Sequence, residues 1–117
     1  MQFVFGGDVM EQAALQEFVD GVRKVIPDKI ISIVLYGSVA RGDATNESDV
    51  DIAIIIKDKL DSNTEDALSD IIVDLNLKYD IVFSVIDIQN EELQKWGNVL
   101  PFFKNVAKDG VVLWKAA

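Results

Sequence analysis

The chain contains no cysteine and no histidine among its 117 residues. The first absence excludes a disulfide framework and any thiolate metal site. The second excludes zinc–imidazole centres, histidine general bases and every serine–histidine–aspartate triad. Any catalysis must therefore come from carboxylates, hydroxyls, Lys and Arg, backbone amides or bound metal. Basic residues are also scarce: 11 Lys and Arg stand against 20 Asp and Glu, for a formal net charge of -9. So acidic a chain is not built for a broad grip on DNA or RNA, which requires cations to displace phosphate counterions. It is compatible with divalent cations, which invert the local field, and with a basic protein partner. No apolar run is long enough to span a bilayer, and no basic segment followed by an apolar one opens the chain. A soluble, cytoplasmic protein without a membrane contact is the expectation.

Half of the residues are hydrophobic, enough for a real core, and the length suits a single domain over 1–117. No internal repeat, low-complexity tract or linker interrupts it. Residues 1–8 read as a short strand or a flexible arm. Leu15, Phe18, Val22 and Ile26 recur at helical spacing over 9–26, and Pro27, one of only two prolines, stops the run. Residues 30–35 are a continuous β-branched run, as in a buried strand. A Gly-, Ser-, Asn- and Asp-rich loop over 37–48, with a helical turn at 39–41, leads to a second strand over 49–57. A helix follows over 62–77, with Ser62 and Glu65 as a capping box and Leu68, Ile71, Ile72 and Leu75 as its apolar stripe. A third strand over 80–88, helices near 91–95 and 99–108, and a short strand over 111–114 complete the chain. The pattern is α/β (α+β): a small mixed sheet with helices packed on it.

The chemistry concentrates in "YGSVARGDATNESDVDIAIII", residues 36–56. Alternation along a strand turns Asp49 and Asp51 to one face, while Val50, Ile52, Ile54 and Ile56 turn to the other. Two adjacent carboxylates repel unless a proton or a cation lies between them, and Mg²⁺ is commonly held by one or two carboxylates, water and phosphate. The β-α-β unit over 49–88 favours parallel strands, which begin at the same sheet edge. That brings Asp80 towards Asp49 and Asp51. If strand 30–36 runs antiparallel to them, Gly37 and Ser38 arrive at the same edge. Gly37 allows close backbone approach to phosphate oxygens, Ser38 offers a hydroxyl, and Arg41 is either a phosphate clamp or a surface charge. Ser48 is a loop-fixing hydrogen bonder or a nucleotide contact. Asp80 could take the proton of an attacking hydroxyl or complete a metal site, although Asp before a strand is also ordinary turn chemistry. Trp96, Phe102, Phe103 and Trp114 read as core or interface groups rather than base-stacking ones.

Gly37-Ser38, the ten residues 39–48 and Asp49-Val50-Asp51 together resemble the signature of the minimal nucleotidyltransferases of the polymerase-beta-like superfamily. The inner Ala40-Arg41-Gly42 and Ser48-Asp49 fit that pattern, as does Asp80 as a third acid. The resemblance implies the polymerase-beta-like nucleotidyltransferase fold. It implies triphosphate binding at Gly37 and Ser38, with Arg41 and Ser48 as further nucleotide contacts. It implies Mg²⁺ ligands and catalytic acids at Asp49, Asp51 and Asp80, with ATP as substrate. Small members of the family are often antitoxins that transfer AMP to a tyrosine of a HEPN-domain RNase toxin. A hetero-oligomer with such a toxin, or a homo-oligomer, follows as an expectation. Two alternatives remain beside it: an antitoxin that binds nucleotide but acts by occlusion, and a nucleotidyltransferase for small molecules of the aminoglycoside type.

Overall fold

Seven residues, Val50–Ile56, form the centre of the molecule, and six of them are buried. Their side chains alternate between two apolar layers. Val50, Ile52, Ile54 and Ile56 enter one cluster, and Ala53 and Ile55 enter another. A strand covered on both faces reads as an unbroken apolar run, which is why this one does. The computed structural model describes residues 9–37 and 49–116; the segment 1–8 considered above lies outside them, as does the turn expected at 39–41.

Among the described residues four strands make the sheet, in the order β3-β2-β1-β4. β1 (Ile30–Tyr36) pairs antiparallel with β2 (Val50–Ile56) on one side and with β4 (Val111–Lys115) on the other. β2 pairs parallel with β3 (Phe83–Gln89). A parallel pair needs a crossover, and helix α2 (Ser62–Tyr79) lies between the two strands in the chain. Both strand directions expected from the sequence are observed.

Helix α1 (Val9–Val25) and α2 cover the first face. The helical spacing of Leu15, Phe18 and Val22 places them in the core, with Phe18 stacked on Phe83 at 5.4 Å between ring centroids. Glu17 ties the two helices at their rim: its Oε1 accepts from Lys78 Nζ at 2.7 Å and from the Tyr79 hydroxyl at 2.8 Å. These two bonds, that of Lys78 first, hold the Glu17 carboxyl below its ordinary range. The second face is covered by α3 (Asn90–Trp96), α4 (Pro101–Lys104) and a π-helical turn over Asn105–Asp109, which inserts Val106 against Val34, Ala53 and Ile55.

Three boundaries depart from expectation. The cap of α2 is Asp61 rather than Ser62, and its carboxylate accepts from Thr64 N–H at 2.7 Å. An ionised oxygen is the stronger acceptor at a helix N-terminus. The helix expected over 99–108 starts at Pro101, which lacks the N–H that a first turn leaves unused. β3 begins at Phe83 rather than at residue 80. The Phe83 N–H donates to the Asn76 side chain at 3.0 Å, which ties the start of the strand to the end of α2.

Candidate active site

Strand alternation places Asp51 on the face shared by Ala53 and Ile55, at the end where β2 begins. Asp49 precedes the first paired residue and is exposed; Asp51 is half-buried. The register gives Asp51 a neighbour on each side, Tyr36 on β1 and Ser84 on β3. Neither neighbour stood out in the sequence. Tyr36 was marked only by its place before Gly37, and Ser84 by nothing local, since only the strand register brings it level with Asp51.

Gly37 closes the same corner. It has φ +78°, in the left-handed region that side chains rarely adopt. A Cβ there would collide with the Asp51 carboxylate, whose Cγ would lie 3.2 Å away. The turn glycine therefore does more than expose backbone: it makes room for one of the two acids. The Tyr36 phenol is pushed above its ordinary range, first by burial and then by the negative charge of Asp51. That charge acts at short range across the strand pair.

Asp80 lies at the same sheet edge on different terms. It is the C-cap of α2, left-handed at φ 52° and ψ 41°, and exposed. Two residues later, the Val82 carbonyl accepts from the Val50 N–H at 2.9 Å, which fixes this turn against the mouth of β2. The expected gathering of three acids is not seen: among the described residues no three His, Cys, Asp or Glu side chains come close enough to hold a metal ion. Asp80 sits in a left-handed cap before the strand, not at a position on it. Ser38, Arg41 and Ser48 lie outside the described residues.

The donor set that is brought together fits a hard cation. Two carboxylates two residues apart, with no histidine or cysteine in the chain, match the preference of Mg²⁺ for oxygen. They would supply only part of a coordination shell and leave the rest to water or phosphate. A cleft of about 320 Å³ between α3 and the π turn is a separate feature. It reaches β2 at Ile55, roughly 13 Å along the strand from Asp51 at a rise of about 3.3 Å per residue. No helix among the described residues is long and apolar enough to cross a membrane.

Comparison with known proteins places the chain in a family. The family described as polymerase beta, nucleotidyltransferase, matches residues 22–116. A Methanocaldococcus jannaschii protein, provisionally named a protein adenylyltransferase, is 38% identical over 104 residues, covering 89% of this chain and 98% of its own. A crystal structure of a toxin–antitoxin with AMP-PNP superposes with a TM-score of 0.61 at 24% identity, covering 86% of this chain and 73% of the other. A Shewanella oneidensis MNT antitoxin in complex with its tri-AMPylated HEPN toxin gives 0.57 at 21% identity, covering 91% and 73%. At these identities the two solved structures share the fold.

Proposed function

The chain belongs to the polymerase beta nucleotidyltransferase family, and from that premise we propose that it transfers AMP from ATP to a tyrosine hydroxyl of a HEPN-type toxin, which it thereby silences. The observation that carries this reading is the Asp51 carboxylate seated against a positive-φ glycine, with Asp49 two residues before it at the mouth of the same strand. The named activity of the M. jannaschii relative and the modified toxin bound to the Shewanella antitoxin support the choice of AMP and of a protein acceptor.

In the reaction the acceptor oxygen bonds to the α-phosphorus, the bond from that phosphorus to the bridging oxygen of the β-phosphate breaks, and pyrophosphate leaves with the electron pair. Asp49 and Asp51 would hold Mg²⁺, which when bound neutralises triphosphate charge and aligns the two oxygens. Gly37 keeps the backbone low enough for phosphate to approach, and Ser38, Arg41 and Ser48 are proposed as further phosphate contacts. Asp80, at the same edge but outside a shared cluster, is assigned the acceptor's proton.

The test uses ATP labelled on the α-phosphate, Mg²⁺ and the HEPN protein encoded beside this chain. Label should appear on a tyrosine of the partner, with unlabelled pyrophosphate released. Asp80→Asn keeps a residue that tolerates the left-handed cap. It should fold normally and slow transfer by roughly 10²–10⁴-fold, the usual worth of a positioned acid–base group. Transfer at the unmodified rate would remove Asp80 from the mechanism.

A further inference from the structure

Among the described residues, an aromatic group on the side of the sheet that carries Asp51 is left part-exposed. Phe102, on α4, sets its ring edge-to-face against Tyr36 at 5.6 Å between centroids and against Phe103 at 5.5 Å, yet it remains 40% exposed. Leu100 and Val99 before it are exposed as well. Tyr36 joins this shelf to the acids: it is the register partner of Asp51, and its Cα is one peptide, about 3.8 Å, from that of Gly37. The shelf lies on the same sheet face as Asp51, with Tyr36 and Phe103 packed on the cluster that Ala53 and Ile55 belong to.

We infer, against the expectation from the sequence that Phe102 is a core or interface group, that this shelf takes the nucleobase of the substrate nucleotide, with Phe102 as its stacking platform. The inference rests on the nucleotidyl-transfer reading and extends it from the phosphates to the base. A nucleotide has an anionic end and a flat, apolar end, and this corner offers a matching pair of surfaces on one face. The size of the shelf favours this occupant: one part-exposed ring and two aliphatic neighbours fall far short of the roughly 800 Å² per partner that a stable protein interface buries. The charge favours it too. A chain at -9 with acids at the mouth has little direct attraction for a triphosphate, so an uncharged contact to the base adds affinity where electrostatics cannot. Recognition by stacking is tolerant of base identity, because every base has a π face.

The experiment compares binding of ATP and of inorganic tripolyphosphate, each with Mg²⁺, by calorimetry. Wild-type protein is measured against Phe102→Ala, Phe102→Trp and the Asp49→Asn/Asp51→Asn pair. Phe102→Ala should weaken ATP at least about fivefold, from the low end of base–aromatic stacking, and leave tripolyphosphate unchanged. Phe102→Trp should restore ATP affinity. Unchanged ATP affinity in Phe102→Ala overturns the inference, and so does an equal loss for tripolyphosphate. If Phe102→Ala binds ATP normally but no longer modifies the partner, the shelf serves the acceptor and the inference fails while nucleotidyl transfer stands. If wild type binds tripolyphosphate no better than the double carboxylate variant, the underlying reading fails, before Phe102 is considered.

Discussion

Gly37 and Asp51 form a pair in which each constrains the other. The glycine carries φ +78° and leaves no space for a Cβ beside the carboxylate. Gly37→Ala should therefore cost about 1–2 kcal/mol in backbone strain alone, lower the melting temperature, and displace Asp51, so that transfer falls further than stability does. A variant with normal transfer and an unchanged melting temperature would show that the glycine is not required. Tyr36 reports on the same carboxylate without any catalysis. Its phenol is raised by burial and, second, by Asp51, so Asp51→Asn should bring its titration down, though still above that of a free tyrosine. The raised value means that Tyr36 supports folding below the unfolded pKa near 10 and that this support is lost as pH rises through the folded value. That alkaline loss should be smaller in Asp51→Asn. Ultraviolet titration of the two tyrosines checks this, with Tyr79, raised mainly by its bond to Glu17, as the internal reference. At this scale the sequence pattern pointed to the acids and the glycine but not to the fit of Gly37 against Asp51. Motif spacing says which residues arrive at an edge, whereas the left-handed turns at Gly37 and Asp80 belong to the fold.

Among the elements, those with strong periodicity were legible and their ends were not. The helical stripe of α1, the continuous apolar run of β2 and the strand–helix–strand order all follow from burial, which acts over whole segments. Ends are settled by single hydrogen bonds. Asp61 takes the cap of α2 from Ser62, and the Asn76 side chain receives the Phe83 N–H. Asp80 occupies a cap and not a strand position. The packing between α1 and the sheet is the main support for the site's scaffold, since it covers the face opposite the acids. Phe18 is fully buried and stacked on Phe83. Phe18→Ala should cost about 3–5 kcal/mol, a large share of the roughly 5–15 kcal/mol available to a domain of this size. Chemical denaturation measures it; a loss below about 1 kcal/mol would mean that α1 is not integral to the core.

For the molecule as a whole, the sheet is covered on both faces, and Asp49, Asp51 and Asp80 lie at one edge of it. In the proposed reaction the acceptor belongs to a partner protein. The sequence carried the fold class and the family, because both depend on a pattern spread over most of the chain, and residues 22–116 match that family. It did not carry the partner's surface, which no periodicity encodes. The central claim is that Asp49 and Asp51 together make this corner a nucleotidyl-transfer site. Mass spectrometry of the HEPN-type protein proposed as its partner, after incubation with ATP and Mg²⁺, tests it most directly. Wild-type protein should add AMP to the partner, while a folded Asp49→Asn/Asp51→Asn variant should add none, a loss exceeding the roughly 10²–10³-fold typical of one electrostatic contact. AMP addition by the double variant at the wild-type rate would contradict the account, and so would a wild-type protein that neutralises its partner without changing the partner's mass.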